Sequence, residues 1–271
     1  MATRKLHTIE KRIIPSSDRD IRILIMRPTK NARPRESTPG ILWLHGGGHL
    51  HGMHPKILLP HARLLVEKYG AVVVAPEYRT AFEKPFPADL EDCYAALLFL
   101  KVHADELGIN DAQIMVGGES AGGGLTVATC LLARDIGEVN IAFQMPLYPM
   151  LDDRTVACDD ELDGLAHVWF AENNKMAWEA VLGERRGTDE VLPCEAPARN
   201  ESFEGLAPAF LEVGELDLFR DETIEYAKRL MAAHVPVELH VLTGLTHTFD
   251  TFPLPIADKA FEYRSYVISQ L

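Results

Sequence analysis

The chain predicts an α/β fold, a mostly parallel sheet of eight strands flanked by helices, and three observations carry that prediction. From Gly40 onward, short continuous apolar runs alternate with longer amphipathic stretches, the rhythm of βαβ units. The runs show no polar alternation, as expected of parallel strands covered on both faces. With 271 residues, 47% hydrophobic and 25% charged, the chain has the size and composition of a soluble α/β domain with a buried core. Residues 1–271 read as a single domain, interrupted by one insertion.

Taken in order, Leu6–Ile14 and Ile21–Arg27 have strand character and are split by Pro15-Ser-Ser-Asp-Arg-Asp20, so an antiparallel hairpin is expected. Pro28 to Pro39 has several prolines and no periodicity, and reads as a surface loop. The alternation then runs Ile41–Leu44 strand, Pro55–Tyr69 helix, Ala71–Ala75 strand, Ala88–Leu107 helix and Gln113–Val116 strand. In the fourth of these, Leu90, Tyr94, Leu97, Leu98 and Val102 keep the spacing of one helix face. Further strands are expected at Ile141–Leu147, Ala209–Val213 and Val237–Leu242, with helices at Leu125–Arg134, Asp221–His234 and Ile256–Leu271. Residues 152–204 break the rhythm. Fifty residues without a clear strand are too many for a plain loop, and predict a small helical cap over the sheet with a helix at Leu165–Leu182.

Charge and composition narrow the function. The 27 basic and 40 acidic residues give a net charge of −13. The densest basic runs, Arg4–Lys5, Lys11–Arg12 and Arg185–Arg186, are short and scattered. A nucleic-acid or anionic membrane partner is therefore not expected. The N-terminal stretch carries no apolar core of a secretory signal, and no apolar run spans a bilayer. Cys93, Cys130, Cys158 and Cys194 include no CxxC pair, so reduced thiols in a cytoplasmic protein are the expectation, with no metal and no organic cofactor.

Two glycine-rich motifs carry chemistry. Gly118-Glu-Ser-Ala-Gly122 follows a strand and opens a helix, the context of a nucleophile elbow that exposes Ser120 and offers the Ala121 N–H to a developing anion. His45-Gly-Gly-Gly48 directly follows the strand Ile41–Leu44. Three glycines leave backbone N–H groups unobstructed, which suits an oxyanion hole; the Lys-Ser or GxGxxG signature of a phosphate loop is missing. A serine nucleophile requires a base and an orienting carboxylate, in the chain order Ser, Asp or Glu, His. Asp217, just past the strand Ala209–Val213, is the choice over Glu215, Asp221 and Glu222; His247, past the last strand, is the base, in preference to His234 and His240.

Together HGGG, GESAGG, Gly214-Glu-Leu-Asp-Leu-Phe-Arg-Asp-Glu222 and Gly244-Leu-Thr-His-Thr-Phe249 make the chain resemble the hormone-sensitive-lipase family of esterases, an α/β-hydrolase group. Ala75 to Ala88, with its Tyr-Arg pair, and Tyr148-Pro-Met-Leu-Asp-Asp153 are similar to family segments as well, over roughly residues 40 to 260. The resemblance implies carboxylester hydrolysis by Ser120, Asp217 and His247, and an oxyanion hole from the N–H groups of Gly47, Gly48 and Ala121. It further implies that His45 holds the glycine loop and that Glu119 supports the loops around the site.

Two departures from the family follow. Only about forty residues precede HGGG, which implies a shortened cap, a more open acyl pocket and acyl chains of two to eight carbons rather than lipase substrates. The glycines are followed by His49-Leu-His-Gly-Met-His54, where apolar or aromatic residues are usual. With His45 they make four histidines within ten residues, and with no carboxylate or thiolate nearby in sequence all four are expected to make the pocket mouth polar and to titrate near neutral pH rather than to bind a metal. His49, Met145, Leu147, Trp169 and Phe170 are candidates for the substrate pocket. An amidase or arylformamidase would use the same triad, and a receptor of the same fold would lack one of its members. A homodimer paired edge to edge on Val237–Leu242 is compatible with the sequence.

Overall fold

The computed structural model describes residues 7–29, 33–52, 55–155 and 168–269. Its centre is an eight-stranded sheet built from β1 (His7–Pro15), β2 (Asp20–Pro28), β3 (Pro39–Leu44), β4 (Val72–Pro76), β5 (Asn110–Glu119), β6 (Phe143–Leu147), β7 (Ala209–Gly214) and β8 (Val237–Leu242). The strand order is β1-β2-β4-β3-β5-β6-β7-β8. β1 and β2 form the expected hairpin, registered from His7 opposite Pro28 to Pro15 opposite Asp20. β2 is antiparallel to β4 as well, and every later pairing is parallel.

Helices α1 (Pro55–Tyr69), α2 (Ala88–Val102), α3 (Ala104–Leu107), α4 (Ala121–Ile136), α5 (Ala171–Leu182), α6 (Arg220–Ala232) and α7 (Pro255–Ser269) alternate with the strands. The single helix expected over Ala88–Leu107 is divided at His103, whose φ of −101° and ψ of 19° leave the helical region, and Gly108 ends the second piece in a left-handed conformation. Expected helix Leu165–Leu182 begins at Ala171, residues 165–167 lying outside the described ones.

Strand parity divides the core. Leu42, Leu44, Val72, Val74, Ile114, Val116 and Leu211 join the cluster that α2, α4 and α6 complete. Ile41, Trp43, Val73, Met115, Met145, Leu147 and Phe210 face the other way, against α1 and α7. A third apolar cluster gathers Leu50, Ala121, Met150, Ala177, Trp178, Val181, Leu182, Val191, Ala196 and Phe219. It packs α5 and the residues after it over the start of α4, where the strands end.

Polar ties hold that insertion down. Asp153 accepts two hydrogen bonds from Arg199, at 2.6 and 2.8 Å, and one from the Gly187 N–H at 2.7 Å. Glu222, on α6, accepts from the Leu151 and Asp152 N–H groups and from the Thr155 hydroxyl. Its burial raises the carboxyl well above the usual range. Among the described residues no helix is long and apolar enough to cross a membrane, and the described cysteines Cys93, Cys130 and Cys194 are free. Cys158 lies outside the described residues.

Candidate active site

Ser120 sits between the end of β5 and the first turn of α4 with φ 59° and ψ −121°. A residue bearing a side chain keeps such a conformation only when its surroundings over-determine it. The surroundings do so. The Ser120 N–H donates to the Leu147 carbonyl at 3.0 Å, and the Ser120 carbonyl accepts from the Gly124 and Met150 N–H groups, both at 3.0 Å. A Cβ on Gly118 would meet the carbonyls of Leu44 and Gly122, and one on Gly122 those of Leu44 and His45. The two glycines of the motif are therefore what let the helix start so close to β3.

The last two strands of the sheet bring up the partners. Asp217 lies in the turn after β7, and its Oδ1 accepts the Phe219 N–H at 2.9 Å. His247 lies in the loop after β8. Its Nδ1 is 2.8 Å from Asp217 Oδ2, and its Nε2 is 2.8 Å from Ser120 Oγ. All three side chains are buried. The His247 ring is wedged edge-on between Tyr148 and Phe219, at centroid distances of 5.1 and 5.0 Å. An imidazole bonded to a hydroxyl through one nitrogen and to a carboxylate through the other is arranged to take the hydroxyl proton while its tautomer is fixed.

The rejected carboxylates are occupied elsewhere. Glu215 accepts the Gly244 N–H at 2.8 Å, Asp221 pairs with Arg220 and Glu222 ties the insertion to α6. His240 bonds Glu238, away from Ser120.

The glycine loop after β3 approaches Ser120 from the other side. Gly47 and Gly48 have φ of 129° and 61°. Glu119 braces this loop: one carboxylate oxygen accepts the Gly46 N–H at 3.1 Å and the other the Trp43 indole N–H at 2.7 Å. Burial pushes the Glu119 carboxyl up to about 8, against the pull of those two donors. His45 stacks on Tyr78 at 4.1 Å, its Nδ1 lies 2.7 Å from the Gly46 carbonyl, and the Tyr78 hydroxyl donates to the His45 carbonyl at 2.5 Å. Burial brings the His45 imidazole down to about 4, so the neutral-range titration expected for it is corrected: it stays uncharged in the fold.

The rest of the histidine group separates. His49 Nδ1 lies 2.8 Å from Asp89 Oδ2, so a carboxylate distant in sequence does join it. His51 is exposed, and His54 lies outside the described residues. Among the described residues no three His, Cys, Asp or Glu side chains come together to hold a metal ion.

The pocket candidates divide similarly. Trp169 packs directly on Gly48, where a Cβ would run into its ring. Phe170 stands 38% exposed just before α5, outside the apolar cluster at the site. Met145 and Leu147 are corrected. They share strand parity with Phe143 and point into the α1 and α7 core, 1% and 0% exposed. The apolar side chains that gather with Ala121 are instead Leu50, Met150, Trp178, Val181 and Phe219. Ala177, Trp178, Val181 and Leu182 keep helical spacing, a signal that marked Trp178, rather than Phe170, as the inward residue.

Comparison with known proteins agrees with this architecture. A family described as having the alpha/beta hydrolase fold matches residues 41–251. The chain is 34% identical over 229 residues to carboxylesterase NlhH of Mycobacterium tuberculosis, covering 83% of this chain and 71% of that one. It is 35% identical over 233 residues to carboxylic ester hydrolase LipN of the same organism, covering 82% and 60%. Among solved structures, a bacterial heroin esterase superposes with a TM-score of 0.92 at 36% identity, over 98% of this chain and 84% of that one. Fold, elbow, glycine loop and relatives thus converge, and the chain belongs to the hormone-sensitive-lipase family of α/β-hydrolases as a carboxylic ester hydrolase.

Proposed function

We propose that the chain hydrolyses short- to medium-chain acyl esters by a Ser-His-Asp triad and an acyl-enzyme intermediate. The observation that carries this reading is the continuous relay from Ser120 Oγ through His247 to Asp217, with 2.8 Å at each step. His247 takes the Ser120 proton as Oγ attacks the ester carbonyl. Asp217 holds the imidazole in the right tautomer and stabilises it when charged. The N–H groups of Gly47, Gly48 and Ala121 receive the oxyanion, each such donor being worth about 10²–10³ in rate. The alcohol leaves with the proton from His247, and water repeats the sequence on the acylated Ser120.

The residues of 152–204 act in this reading as a cap. Trp178, Met150 and Val181 fill the space beneath α5, which supports chains of two to eight carbons over longer ones. A second copy pairing on the half-exposed β8 edge completes the proposal, and light scattering in solution measures its mass.

Reaction with diethyl p-nitrophenyl phosphate tests the nucleophile. One nitrophenolate released per chain, with the adduct on the peptide holding Ser120, is the expected result. Labelling elsewhere, or undiminished labelling of Ser120→Ala, overturns the assignment.

A further inference from the structure

His49 and Asp89 form a second buried histidine–carboxylate pair beside the proposed site, and the triad does not use it. His49 directly follows Gly47 and Gly48, and its φ of 59° extends their left-handed course by one residue. Glycine takes that conformation freely, whereas a residue with a Cβ needs something to hold it there. Two bonds do so. The His49 carbonyl accepts the Ala81 N–H at 2.8 Å. The imidazole Nδ1 meets Asp89 Oδ2 at 2.8 Å, with His49 and Asp89 only 5% and 4% exposed. Asp89 is itself fixed. It is the second residue of α2, and its other oxygen lies 2.8 Å from the Leu90 N–H.

The surroundings make this pair costly unless it has work to do. Phe86, Leu125, Met150, Trp178 and Val181 line the same small space of about 10 Å³, and the other carboxylate on it, Glu195, is neutralised by Arg185 at 2.8 Å, whereas Asp89 pairs only with His49 among the described residues. Apolar residues at 49 and 89 would fill such a place without desolvating a carboxylate. What a hydrogen bond adds over apolar packing is direction. We propose that Asp89 and His49 are positioning residues that anchor the glycine loop to the start of α2, and so aim the Gly47 and Gly48 N–H groups at the oxyanion.

This inference rests on the proposed use of those N–H groups. Its mechanical logic is distinct from the triad's. The chain of contacts runs from a helix end through Asp89 to His49, and from there along the backbone to Gly48 and Gly47. No proton moves through it. Loss of the anchor therefore weakens stabilisation of the tetrahedral state while leaving ground-state binding in place.

The test uses the full chain with p-nitrophenyl acetate as substrate, rates being expressed per site titrated with diethyl p-nitrophenyl phosphate. A phenyl trifluoromethyl ketone serves as the tetrahedral mimic. Asp89→Ala is expected to lower kcat by about tenfold or more, with KM within about twofold of wild type. Affinity for the ketone is expected to fall by the same factor as kcat. Asp89→Asn is expected to recover most of the loss. Its amide oxygen can accept the Leu90 N–H while its NH₂ donates to Nδ1 of the alternative His49 tautomer.

His49→Gly suits the backbone conformation but removes the anchor, and is expected to show the same kcat loss in a stable protein. It decides the matter if Asp89→Ala fails to fold. The clamp is overturned by kcat within about twofold of wild type in Asp89→Ala or His49→Gly, by a kcat loss without a matching loss of ketone affinity, or by Asn performing no better than Ala. Any of these with a wild type that titrates leaves the triad standing. A wild type that neither titrates nor hydrolyses overturns the triad and the clamp together.

Discussion

Asp217 and His247 meet across thirty residues of chain because each follows the end of a neighbouring parallel strand, β7 and β8. The contact between them is short and buried, so removing the charge of Asp217 acts on the imidazole rather than on the fold. Asp217→Asn is expected to lower kcat by about 10⁴-fold with little change in the melting temperature, as measured by ester hydrolysis and thermal unfolding. A loss of activity that simply tracks loss of folded protein would contradict that role. The contacts of Ser120, His247 and Asp217 and the glycine loop were legible at this scale because each residue stands in a motif beside a recognisable strand. The pocket wall was less so. Whether Met145 faces the site or the opposite core depends on strand parity relative to helices that join the sheet elsewhere in the chain. The link between His49 and Asp89 spans forty residues and carries no motif of its own.

Among the elements, α7 shows how a distant helix supports the loop that bears His247. Arg264, fully within the core, bonds Asp250 at 2.6 Å and also pairs with Glu212 on β7. The Tyr148 hydroxyl donates to Asp250 at 2.8 Å from beneath the His247 ring. Burial alone would raise the Asp250 carboxyl, but Arg264, His61 and the Tyr148 hydroxyl together outweigh it and hold it below the usual value. Arg264→Met leaves two buried carboxylates without their cation, and is expected to cost about 3–5 kcal/mol in a urea titration. A cost below about 1 kcal/mol would show that water or a neighbouring group replaces the guanidinium. Sequence periodicity placed the start of α7 within one residue, yet could not reveal this network, since arginine on a helix face is ordinarily solvated. The division of α2 from α3 at His103 escaped for a related reason: the apolar spacing continues across a break that only the backbone angles record.

Over the whole molecule, the buried titratable groups set how stability varies with pH. His45 and His61 are brought down to about 4 by burial. They stay neutral in the fold, while the unfolded chain takes up protons on them below about 6.5. Their contribution is present above that pH and is lost as the pH falls toward 4, at about 1.4 kcal/mol per unit for each. Glu119, pushed up to about 8, acts in the opposite sense: its contribution is full below its ordinary value near 4.5 and is lost as the pH rises through 8. Denaturant midpoints are therefore expected to decline on both sides, and substitution of His61 by Gln is expected to flatten the acid limb. An unchanged acid limb would contradict a buried neutral His61. The architecture itself was readable from alternation and motif order, because parallel strands and their crossovers follow the chain. What sequence did not reveal lies where separate elements meet.

Hydrolysis of p-nitrophenyl esters from acetate to dodecanoate, wild type beside Ser120→Ala, tests whether Ser120 is the nucleophile of this ester hydrolase. Turnover that peaks among acyl chains of two to eight carbons and falls by about 10⁴-fold or more in Ser120→Ala is the predicted result. Hydrolysis that survives the substitution, or a wild type that cleaves none of these esters, would contradict it.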